Sequence, residues 1–119
     1  MSLITETVSR CEELTVTILD TETTSNAIYV NCFSIIRLYL PSAFVGNTIE
    51  FLASMDGTTF KSLYDGNNGK ITFGSNTKDV WIDLGEKYGT HPVCGFNYIK
   101  VVGGTQTADV ELKLIATTR

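Results

Sequence analysis

The sequence predicts an all-β protein: a single-domain antiparallel β-sandwich, jelly-roll-like, with about eight strands. Three observations predict it. Apolar residues recur at every second position in run after run, which is how a half-buried strand reads. Turn signals punctuate the chain every 8 to 12 residues or so, the spacing of small sandwiches, and no convincing amphipathic helix interrupts them. Hydrophobic residues make up 43% of the 119 residues and charged ones 18%, so Thr, Ser and Asn supply much of the surface polarity, a profile that suits strands.

The first clear strand is Leu14 to Ile18, with Leu14, Val16 and Ile18 set against Thr15 and Thr17. Residues 1–13 precede it as an N-terminal extension or edge arm, and residues 14–119 form the sandwich domain. The polar cluster Thr21 to Asn26 breaks the pattern. Ala27 to Leu40 is apolar on both faces, as a central strand or one with a face in a subunit interface would be. Pro41 ends it because it cannot donate to a ladder. Ile49, Phe51, Ala53 and Met55 alternate with polar residues up to Asp56-Gly57, a strong hairpin signal. The return strand is Thr59 to Tyr64, and Asp65-Gly66-Asn67-Asn68-Gly69 is a second turn. Lys70 to Phe73, Asp79 to Leu84, Phe96 to Val102 and Ala108 to Ala116 complete the set, with loops at Gly85 to Gly95 and Gly103-Gly104.

Charge and cysteine usage narrow the function. The net charge is −4 and the basic residues are scattered, so no footprint for nucleic acid or an anionic membrane is present. No apolar stretch approaches the roughly 20 residues of a membrane helix. The start has neither a basic n-region nor a sustained apolar run, so synthesis in the cytoplasm without export is expected. Cys11, Cys32 and Cys94 are odd in number and widely spaced, which reads as plain reduced thiols rather than a disulfide scaffold or zinc site; neither a metal nor any other cofactor is expected.

Catalytic constellations are missing from the pattern. His91 is the one histidine; it lies three residues from Cys94 in a Gly-rich loop, a spacing that is no evidence of a dyad. Neither a Gly-x-Ser-x-Gly elbow nor a phosphate-binding loop occurs. Asp65, Asn67 and Asn68 lack the spacing of a calcium loop. Asp79 and Asp83 flank Trp81 and would share its face in a strand; an aromatic between acids can stack on a sugar ring, which makes a carbohydrate-binding module the alternative to an exposed interface Trp.

Several segments in order resemble a family of small bacteriophage and prophage β-sandwich virion proteins of the capsid decoration, or cement, type. They are Thr15-Val16-Thr17-Ile18, Thr23 to Ile28, Leu40-Pro41-Ser42-Ala43-Phe44-Val45-Gly46-Asn47-Thr48-Ile49-Glu50-Phe51, Ala53-Ser54-Met55-Asp56-Gly57-Thr58-Thr59-Phe60, Leu63-Tyr64-Asp65, and Gly95 to Thr105 with the strand through Leu114. The resemblance implies a non-enzymatic structural protein that binds the outer surface of a phage capsid and stabilises it, made in the bacterial host cytoplasm and located on the virion. Its partners would be the major capsid protein and itself, as a dimer or trimer. The alternative is a tail, neck or fibre component, or a sugar-binding module. Many modest contacts to several subunits would sum by multivalency, and the candidate residues for a capsid or subunit interface are Tyr29, Phe33, Tyr39, Phe44, Val45, Trp81 and Tyr88.

Overall fold

The computed structural model describes residues 11–85 and 91–118. Nine strands are present among them: β1 Cys11–Ile18, β2 Ile28–Tyr29, β3 Ser34–Leu40, β4 Thr48–Ser54, β5 Lys61–Ser62, β6 Thr72–Gly74, β7 Val80–Asp83, β8 Tyr98–Val102 and β9 Val110–Thr117. They form two sheets. The front sheet has the order β1-β9-β3-β7, and the back sheet the order β2-β8-β4-β5, with β6 sharing the outer side of β4 with β5.

Every pairing is antiparallel, and the partners are nested: β1 with β9, β2 with β8, β3 with β7, β4 with β5 and β6. The chain is therefore one long two-stranded ribbon, doubled back at the Asp56-Gly57 hairpin between β4 and β5 and wrapped into two sheets. That is the jelly-roll arrangement the sequence predicts. Alternation sets the core between the sheets. Val16, Ile18, Leu38, Leu40, Leu112 and Leu114 of the front sheet face Ile49, Phe51, Phe73, Ile99 and Val101 of the back sheet, and all are buried. The rings of Phe51 and Phe73 meet edge-on at 5.9 Å, a favourable aromatic geometry.

The run Ala27 to Leu40 is not one strand. It breaks at Asn31 and Cys32, whose φ angles are 49° and 61°, and Phe33 N closes the turn on Val30 O at 2.8 Å. Two successive left-handed residues turn the chain sharply, as in a type I′ turn, and carry it from the back sheet into the front one. A bulge between Ile35 and Arg37 then shifts the register a second time. Ile35 and Leu38 are both buried although they are three apart. The apolar residues on both apparent faces thus belong to two strands in different sheets.

Elsewhere the strands differ from expectation mainly in length. The first begins at Cys11, and the expected strand Thr59 to Tyr64 narrows to Lys61–Ser62 with an isolated bridge from Tyr64 to Lys70. The side chain of Asp56 takes over the hairpin backbone: its Oδ1 accepts from Thr58 N and Thr59 N, each at 2.9 Å, and from Ser54 Oγ. Those bonds, with the two backbone donors first, hold the Asp56 carboxyl well below the usual carboxylate range. Gly57, at φ 83°, lies under the Tyr98 ring, where an added Cβ would stand 3.1 Å from the ring edge.

Candidate interaction surface

The outer face of the front sheet follows from parity: residues of β1, β3, β7 and β9 whose neighbours fill the core must point outward. The ladder aligns them in rungs. Thr15, Lys113, Tyr39 and Trp81 form one, and Glu13, Ile115, Arg37 and Asp83 the next. Tyr39 and Trp81 pack at 5.5 Å between ring centroids, and Trp81 keeps 50% of its surface exposed. Beside them, Arg37 meets Asp83 at 3.3 Å and Lys113 meets Glu13 at 3.3 Å. Both pairs are solvent-facing and contribute about 0 to 1 kcal/mol each; Arg37 and Asp83 lie within the second rung, and Lys113 and Glu13 link it to the first.

Asp79 precedes β7 with φ 61°, and its N donates to Leu40 O at 2.7 Å. This places its carboxylate against the Tyr39 hydroxyl, which donates to Asp79 Oδ1. The hydrogen bond, then burial and the Asp79 charge, push the Tyr39 phenol up from its ordinary value. The two acids that flank Trp81 therefore both have partners within the chain, Asp79 on Tyr39 and Asp83 on Arg37.

The two sheets leave grooves along both sides. On one, the edge strands β6 and β7 wall a groove of about 340 Å³, lined by Phe73, Val80 and Ile82 with Ser75, Trp81 and Asp83. On the other, between β1 and β2, a groove of about 200 Å³ is lined by residues that include Leu14, Tyr29, Asn31 and Phe33. Tyr29 is 54% exposed and packs edge-on against Tyr98 at 5.2 Å, while Phe33 is half-buried against the core.

The seven interface candidates are thus divided. Tyr39 and Trp81 sit together on the front sheet; Tyr29 and Phe33 sit together beside β1 and β2; Val45 lies alone in an exposed loop. Tyr88 lies outside the described residues. Phe44 is a core residue, only 4% exposed, and is removed from the surface set. Phe44 N closes a turn on Pro41 O at 3.1 Å, which swings the ring inward over Gly103, where any Cβ would lie 2.4 Å from Phe44 Cζ. Gln106, which sequence reading did not single out, clasps this loop. Although 1% exposed, it accepts from Val45 N at 2.9 Å and donates to Val45 O and Gly104 O at 3.1 and 2.7 Å. Nor did sequence reading single out Ile115 or Tyr98; the parity of β8 and β9 carried that information. The three cysteines are exposed and do not serve as small core hydrophobes.

No protein-family profile matches the chain, and no curated protein matches it. Among solved structures it is similar to the SPBc2 prophage-derived protein YomS, with a TM-score of 0.62 and 13% identity over 98% of this chain and 99% of that one. A protein of Bacillus endospore appendages, described as disulfide-linked pili, has a TM-score of 0.46 at 10% identity over 99% and 96%. The Yersinia pseudotuberculosis-derived mitogen has 0.42 at 16% identity over 94% and 88%. At these identities YomS shows a shared fold from end to end, and the other two fall short of one.

Proposed function

We propose that this chain is a non-enzymatic structural protein of a bacteriophage particle, and that it binds the outer surface of the capsid, as a dimer or trimer, and stabilises it. The observation that carries the reading is the jelly roll shared over the whole length of both chains with a prophage-derived protein. The front sheet supports it with an outer face on which Tyr39 and Trp81 adjoin the Arg37–Asp83 pair. Interfaces are enriched in aromatic residues and Arg, rimmed by charge. In this reading the major capsid protein packs against Trp81, and many copies sum their contacts over the shell.

The test is quantitative mass spectrometry of purified particles. The expected result is hundreds of copies in a fixed ratio to the major capsid protein, with added protein co-sedimenting with empty capsids and raising their thermal breakdown temperature. A dozen copies or fewer would move the protein to the tail or neck, and absence from particles would defeat the virion reading. A second reading, a sugar-binding module, is favoured by the position of Trp81 on a groove that also carries Asp83 and Ser75. It predicts glycan affinity that Trp81→Ala abolishes.

A further inference from the structure

We propose that one end of the sandwich is a covalent joint between copies of this chain, closed by a disulfide from Cys11 of one copy to Cys94 of the next, with Cys32 remaining a thiol. All three cysteines are free and exposed. Unbridged Cys is among the most buried residue types, so three exposed thiols on one small domain need a reason.

The ladder gathers them at one end. Cys11 pairs with Thr117, which pairs with Ser34. On the other flank of β3, Ile35 N donates to Val93 O at 2.8 Å, and Cys94 follows directly. Cys32, just before β3, donates from its N to Phe96 O at 2.8 Å. Cys11 and Cys94 therefore stand on opposite lateral sides of this end, about three strand spacings or ~14 Å apart. That is about twice the Cα separation a disulfide spans, so the two cannot join within one copy. Set side by side, the Cys11 flank of one copy meets the Cys94 flank of the next.

Two further observations select a second copy as the partner. First, among the described residues the outer edge of β1 is unpaired from Cys11 to Thr15. Thr17 gives its N to Asn26 Oδ1 at 2.9 Å and its O to Asn26 N at 3.3 Å, which shows that the odd-numbered backbone groups of β1 face away from β9. None of the described residues takes up those of Cys11, Glu13 or Thr15, and such an edge pairs with another chain. Second, the count of thiols fits. A contact joining unlike flanks closes into a ring or continues as a filament; each copy then uses one thiol on each side, and Cys32 is the one left over. Its Sγ–H is held on Asn97 Oδ1 at 3.3 Å.

The chemistry needs a low-molecular-weight disulfide as oxidant. The Cys11 thiolate attacks glutathione disulfide, forming a mixed disulfide and releasing one glutathione thiolate. The Cys94 thiolate of the neighbouring copy then attacks the Cys11 sulfur and releases the second. One glutathione disulfide has become two glutathione thiols, and two protein thiols have become one disulfide. In a reducing cytoplasm the joint stays open. The proposal does not depend on the capsid reading and is tested on the purified protein alone.

The experiment is oxidation at micromolar protein in millimolar glutathione disulfide, read by non-reducing gel and by mass spectrometry of the linked peptides. The expected result is a ladder beyond the dimer, reversed by dithiothreitol, in which Cys11 is joined to Cys94 and Cys32 is unlinked. Cys11→Ser and Cys94→Ser should each abolish the ladder, and an equimolar mixture of the two variants should give a dimer and nothing larger. Cys32→Ser should leave the ladder unchanged. Unchanged melting temperatures in reductant would show that each variant folds. Glutathione adducts on monomers alone, links between like cysteines, a Cys32 link, or a ladder that survives in either of the first two variants would each overturn the proposal.

Discussion

Phe44 and Gly103 offer a sharp test of the core. The Phe44 ring is 4% exposed, and a Cβ on Gly103 would stand 2.4 Å from its Cζ and 2.7 Å from its Cε1. Phe44→Ala should therefore cost about 3 to 5 kcal/mol, the range for emptying a packed aromatic site. A chain of this length holds about 6 to 18 kcal/mol in all. Each kcal/mol moves the melting temperature of a domain this size by about 3 to 6 °C, so a fall on the order of 10 to 30 °C is expected. Gly103→Ala should cost about 1 to 3 kcal/mol by overpacking. In the double variant the added methyl enters the space left by the ring, and the combined loss should fall short of the sum by about 1 to 3 kcal/mol. Urea unfolding of the four proteins measures the cycle. Additivity within about 0.5 kcal/mol would show that the ring does not fill the space over Gly103. A loss below about 1 kcal/mol for Phe44→Ala, well under the range for a buried ring, would return Phe44 to the surface.

Asp56→Asn should destabilise the protein at neutral pH. Because the folded carboxyl lies below its unfolded value near 4, its contribution is present above that value and fades as pH falls further, so the gap to wild type in urea midpoints should narrow in acid. Tyr39 behaves in the opposite sense. Its raised value gives a contribution that is present below about pH 10 and lost as pH rises, and Tyr39→Phe should remove absorbance that develops above about pH 10 in the tyrosinate titration. Gln106→Leu should leave Val45 N and Val45 O without their buried partner, at a cost of about 1 to 3 kcal/mol, seen in urea unfolding and as faster amide exchange at Val45.

The sandwich was legible because most strands announce themselves one at a time. Val110, Leu112 and Leu114 against Glu111 and Lys113 can only be a strand with one face inward, and the structure pairs them as such. Asp56-Gly57 and the turn at Asp65 were legible for a chemical reason: each places an Asx side chain where it can replace a ladder partner. The run from Ala27 to Leu40 was not, because periodicity is blind to a change of sheet. The turn at Asn31 and Cys32 contains neither Gly nor Pro, and the bulge near Ile36 leaves no mark on composition. The surface was half legible. Trp81 and Tyr29 are where apolar surplus suggested, but Phe44 has the same composition signal and lies inside. The distinction rests on Gly103, 59 positions away, and no local window contains both.

The nested ribbon also governs when the fold can exist. β9 lies between β1 and β3, so the front sheet has no middle until β9 has been made. During synthesis the early strands wait with their apolar faces uncovered, and closure of such distant pairs is slow. A chain cut short before β9 has no route to a front sheet and is a substrate for aggregation or proteolysis. Synthesis of β9 thus acts as a checkpoint: only molecules carrying β9 acquire the outer face of the front sheet.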